Sequence, residues 1–110
     1  MNESTFVPSN ASVMIYPEDN MPKLYAKDGV PLDQNYATVK FFGGTCTWHL
    51  TEYDPEDELA FGLCDLGMGY PELGYVSLAE IRELKFPRAI ERDLYYTPIT
   101  LRQALDNARG

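Results

Sequence analysis

The sequence predicts an α+β domain, an antiparallel meander of about four strands with one or two helices packed on one face. Between residues 36 and 76, runs of β-branched and aromatic side chains alternate apolar with polar at a period of two. The connections between those runs are short and rich in Gly, Pro and Asp. Helix-start signals come only after the last run, which does not match the β–α–β alternation of a parallel sheet.

Residues 1–22 read as an N-terminal arm, partly mobile, with three of the eight prolines and one apolar run, Val13–Tyr16, that suits a short strand. A single domain is expected over 23–110, since one core typically serves ~100–150 residues. Lys23 to Lys27 leads into Asp28-Gly29, a strong turn signal. Tyr36 to Phe42 reads as a strand with Ala37, Val39 and Phe41 on one side, ended by Gly43-Gly44. Thr45 to Tyr53 sets Cys46, Trp48 and Leu50 against Thr47, His49 and Thr51, the pattern of a half-buried strand.

Asp54-Pro55-Glu56-Asp57 is a turn, because Pro fixes φ and Asp side chains bond nearby amides. A third strand follows over Leu59–Leu66, with Leu59, Phe61 and Leu63 on one side and the small Ala60, Gly62 and Cys64 on the other. Leu73 to Val76 makes a short fourth. Ser77-Leu78-Ala79-Glu80 is a capping box that opens a helix to about Lys85, with Pro87 beyond its end. Ile90 to Tyr96 suits an extended segment crossing the sheet. Thr100-Leu101-Arg102-Gln103 repeats the capping logic for a C-terminal helix to about Ala108. The expected core is Val39, Phe41, Trp48, Leu50, Phe61, Leu63, Tyr75 and Ile81, with Trp48 its largest member.

The charge is concentrated. The chain carries 17 acidic side chains against nine Lys and Arg, a formal −8. Residues 41–81 hold eight of the acids and no base, so this segment alone equals the net charge. Such a balance argues against direct binding of nucleic acid or anionic lipid. The segment reads first as a solvated acidic hairpin tip; the sharper reading, a negative face for a basic partner or a metal ion, makes Glu52, Asp54, Glu56, Asp57, Glu58 and Glu72 the candidate binding set. Arg92, opposite Glu91 and Asp93 on an extended segment, suits a bidentate structural pair with Glu52 or Glu72. No apolar stretch reaches the ~18 residues of a membrane span. The start, Met1-Asn2-Glu3-Ser4, has no basic segment or apolar run of a secretory leader, so a cytoplasmic location is expected. The Asn10-Ala11-Ser12 sequon then carries no weight.

No catalytic residue, metal site or cofactor is expected. Cys46 and Cys64 read as buried thiols; a bridge depends on the hairpin register. They lack the close ligand spacing of a zinc site. His49, the only histidine, reads as a packing residue on a mixed face. The carboxylates of 52–58 lack the alternating ligands and central Gly of a calcium loop. Gly67-Met68-Gly69 lacks the third glycine of a dinucleotide fingerprint.

Six segments occur in a telling order: Pro22–Tyr25, Val39–Phe42, Trp48–Asp54, Phe61–Leu63, Glu72–Leu78 and Ile90–Tyr95. Together they resemble the family catalogued as domain of unknown function 2958, over about Met21 to Leu105. That resemblance implies a small bacterial protein of plasmids, integrative elements or phage-like regions, and no activity to carry over. Three roles are consistent with the residues. One is a non-enzymatic interaction module in a conjugation or replication complex, using aromatic surface. Another is an anti-defence inhibitor whose carboxylates occupy the basic groove of a host nuclease or DNA-binding protein. The third is a hydrolytic enzyme using Glu52, Asp54, Glu72 or Asp93.

Overall fold

The computed structural model of the chain describes residues 13–84 and 90–109. The class is the expected one, α+β with antiparallel strands. The elements are β1 (Tyr36–Ala37), β2 (Val39–Gly43), β3 (Cys46–Asp54), β4 (Leu59–Asp65), β5 (Glu72–Ser77), α1 (Leu78–Arg82), β6 (Glu91–Arg92), β7 (Ile99–Thr100) and α2 (Leu101–Arg109). Five of the strands form one sheet in the order β5-β4-β3-β2-β6, and β1 pairs with β7 separately. Short turns join β2 to β5 as a meander. The segment after α1 returns to the far edge, so the expected crossing segment supplies an edge strand beside β2.

Register sets two faces, because side chains alternate across a strand. Trp48 stands opposite both Phe41 and Cys64, and Leu50 opposite both Val39 and Gly62. These residues, with Ala60, bury the first face against Leu78 and Ile81 of α1. Leu63 points the other way and packs with Ala37 and with Leu101 and Ala104 of α2. The helices therefore lie on opposite faces instead of sharing one. The reason is Leu63, whose parity differs from that of Trp48's partner Cys64, so an apolar residue is offered to each side.

Both helices start as read from the sequence. The Ser77 hydroxyl accepts the Glu80 amide at 3.3 Å. At α2 the box is reciprocal: Thr100 Oγ1 accepts the Gln103 amide at 3.1 Å, and Gln103 Oε1 accepts the Thr100 amide at 2.8 Å. However, α1 ends at Arg82, short of the expected Lys85, which with Pro87 lies outside the described residues.

Val13 and Ile15 are buried in the first core, yet the expected strand over Val13–Tyr16 does not form. The arm's earlier residues, 1–12, lie outside the described residues. Pro17–Asp19 makes a 3-10 turn, and Asp19 reaches Arg92.

Two of the expected core residues are not in it. Tyr75 is 50% exposed and Phe61 half-buried. Both lie on the α2 side of the sheet, toward the β5 edge, where α2 does not reach to cover them. Trp48, by contrast, is 3% exposed at the centre of the first core.

Candidate protein-docking face

The site begins with an irregularity in β3. Leu50 pairs with Gly62 and Glu52 with Phe61, so Thr51 is an extra residue in the ladder. Such a bulge re-aims everything after it. Strict alternation would have put Glu52 on the Trp48 side; the bulge instead turns Glu52 to the opposite face and Tyr53 into the first core. Gly62 permits the close approach, since a Cβ there would sit 1.9 Å from the His49 carbonyl oxygen. The Thr51 hydroxyl donates to the Phe61 carbonyl at 3.2 Å across the bulge.

Glu52, re-aimed, is 3% exposed. Its two oxygens accept the backbone amides of Tyr25 at 2.9 Å and Lys27 at 2.8 Å. A buried carboxylate is stabilised when its lone pairs are filled in this way. Tyr25 needs the support, because its φ of +72° lies in the left-handed region that side chains disfavour. The clamp lays the 24–29 turn over the sheet and presents the Tyr25 ring beside Tyr75, centroids 6.0 Å apart. Tyr75 in turn meets Phe61 edge-on at 5.0 Å. Leu73, two residues along β5, completes the patch: Tyr25, Leu73 and Tyr75 are 60%, 44% and 50% exposed.

The acidic set does not assemble into one surface. Glu52 is buried and engaged. Asp54 is half-buried and accepts the Glu56 amide at 3.0 Å, while Glu56 and Asp57 are exposed in the turn between β3 and β4. Glu58, at φ +50°, is paired with Arg82 of α1. Glu72 stands opposite Cys64, whereas Asp54 stands opposite Leu59. Along β4 that separates Glu72 from the turn by roughly 17 Å, at ~3.4 Å per residue.

Arg92 pairs with neither Glu52 nor Glu72. It sits on β6, at the sheet edge farthest from β5, and its guanidinium forks onto Asp19 with two bonds of 2.8 Å. That contact holds the Asp19 carboxyl below the usual carboxylate range. Asp93 lies 3.8 Å from Lys40. Cys46 and Cys64 are free, half-buried thiols packed against the first core. His49 is half-buried, and its Nδ1 meets the Tyr96 hydroxyl at 2.9 Å. Burial, with Lys40 nearby, brings the His49 pKa down to about 4. Burial and Asp93 push the Tyr96 hydroxyl up to about 12.

The chain is thus a bulged antiparallel sheet with exposed aromatics at one edge. A family model, that of the proteins of unknown function grouped as DUF2958, matches residues 11–109, and the chain belongs to that family. No curated protein and no solved structure matches it. No helix among the described residues is long and apolar enough to cross a membrane.

Proposed function

We propose that the chain is a non-enzymatic interaction module that docks a partner protein on the patch of Tyr25, Phe61, Leu73 and Tyr75. The carrying observation is the Glu52 clamp: a buried carboxylate and a left-handed non-glycine residue are both committed to holding one tyrosine ring out in solvent. Nothing in core packing asks for that arrangement. Contiguous exposed aromatics with fixed geometry are what protein interfaces use as anchors, since a preset ring loses little entropy on binding. The expected partner, from the family resemblance, is a conjugation or replication protein of a mobile element.

The acidic-mimic reading has less support, because a groove built for phosphates needs regularly spaced exposed charge and these carboxylates are scattered, buried or paired. The hydrolytic reading needs two converging acids, whereas Glu52 has both oxygens filled by backbone amides, Asp54 accepts the Glu56 amide, Glu72 lies on β5 and Asp93 lies beside Lys40.

The test is a pull-down from bacterial lysate at low and high salt with the parent, Tyr25→Ser/Tyr75→Ser, and Asp54→Asn/Glu56→Gln/Asp57→Asn. A salt-resistant partner lost only with the tyrosine variant supports aromatic docking. A salt-sensitive nuclease or DNA-binding protein lost only with the acid variant overturns it in favour of mimicry.

A further inference from the structure

β5 is the outermost strand of the sheet, and its free edge has a definite pattern. The Leu78 amide donates to the Glu58 carbonyl at 2.9 Å. In an antiparallel ladder that bond makes Leu59–Ser77 a non-bonded pair, and the alternation continues along the strand. Tyr75 and Leu73 occupy the same phase as Ser77. Their N–H and C=O groups therefore point outward, and among the described residues no backbone group meets them. Between them Gly74 has neither a positive φ nor any atom within 4 Å of where a Cβ would stand. Neither turn geometry nor internal crowding explains it, and a bare backbone at a sheet edge leaves room for another chain to approach.

The two sides of this edge differ in chemistry. On the docking-face side Leu73 and Tyr75 offer apolar contact. On the other side an open cleft of about 310 Å³ is lined by Cys64, Leu66, Met68, Tyr70 and Glu72. Its walls are apolar apart from a single carboxylate, and among the described residues no cation pairs with Glu72. That combination suits the aliphatic stem and charged head of Lys or Arg. No Lys or Arg occurs anywhere in residues 41–81 to occupy it. A second copy of this chain is a poor occupant, since each carries −8.

We infer that β5 accepts an extended, Lys- or Arg-bearing segment of the partner as a sixth strand, its apolar side chains on Leu73 and Tyr75 and a cationic one in the Glu72 cleft. This rests on the docking reading and adds its occupant. Main-chain bonds to Leu73 and Tyr75 supply affinity, and the alternating side chains supply selectivity.

The experiment is backbone amide exchange followed by NMR on the intact chain, with a short peptide of alternating valine and lysine at millimolar concentration. Its controls are an alternating valine–glutamate peptide and the valine–lysine peptide N-methylated on alternate amides in either phase. The expected result is that exchange at Leu73 and Tyr75 slows by roughly fivefold with the valine–lysine peptide and with the one methylated phase whose free amides face β5, and not with the other phase or the glutamate peptide. Glu72→Gln should weaken that binding by about twofold to fivefold, as an exposed ion pair would. Unprotected Leu73 and Tyr75 amides would overturn the strand pairing, as would equal protection by the glutamate peptide. Protection that rises with protein concentration and no peptide would overturn it in favour of a second copy. Loss of the partner from the tyrosine variant with these amides still unprotected would overturn the pairing and leave the docking face standing.

Discussion

Glu52 accepts the backbone amide of Tyr25 from 27 positions away, at 2.9 Å, and so fixes the ring that heads the docking face. Its second oxygen takes the Lys27 amide. Replacing Glu52 by Ala leaves both amides without that acceptor, and the expected cost is about 2–4 kcal/mol. Glu52→Gln keeps one acceptor and should cost about 1–2 kcal/mol. Urea denaturation of the three proteins checks this; a parental midpoint for Glu52→Ala would mean that the turn holds itself.

Arg92 and Asp19 should show a coupling energy of about 1–2 kcal/mol in a double-mutant cycle with alanine, given the forked, charge-assisted geometry and partial burial. The matching cycle of Arg92 with Glu72 should give none. Coupling in the second cycle and not the first would restore the pairing expected from sequence.

In the first core, Trp48→Ala should cost about 3–5 kcal/mol, the usual range for a buried aromatic. Ser77→Ala should cost ~1 kcal/mol through the lost cap bond. Thermal melts at matched concentration measure both, and a parental melt for Trp48→Ala would place the indole at the surface.

His49 gives a pH signature. Its pKa drops from 6.5 to about 4 on folding. The unfolded chain then binds more protons between those values, so stability rises with pH across that window and is lost as pH falls through it. His49→Phe should remove this slope between about pH 4 and 6.5 while leaving the steeper acid limb, where the Asp19 carboxylate protonates. An unchanged slope would show that other groups set it.

What the sequence could and could not reveal divides along physical lines. Alternation at period two and two capping boxes are local signals, so strands β2 to β5 and both helix starts were legible. The bulge at Thr51 was not, because one unpaired residue leaves the apolar pattern of Thr45 to Tyr53 looking regular. That single insertion moved Glu52 from the expected acidic face to the buried clamp. Arg92's partner was equally hidden, since Asp19 lies in a segment with no periodicity to place it. Tyr75 read as core because strand position predicts alternation but not where a covering helix stops. The acids of 54–57 were placed correctly at the hairpin end by their own turn signal, Asp54-Pro55.

Docking at the tyrosine face is tested most directly by site-specific photo-crosslinking in cells. A photoreactive phenylalanine analogue replaces Tyr75 in one protein and Asp106, exposed on α2, in the other. The expected result is one partner protein captured from position 75 and absent from position 106, with capture lost when Tyr25→Ser is added. Equal capture from both positions, or capture at 75 that survives Tyr25→Ser unchanged, would contradict docking at this face.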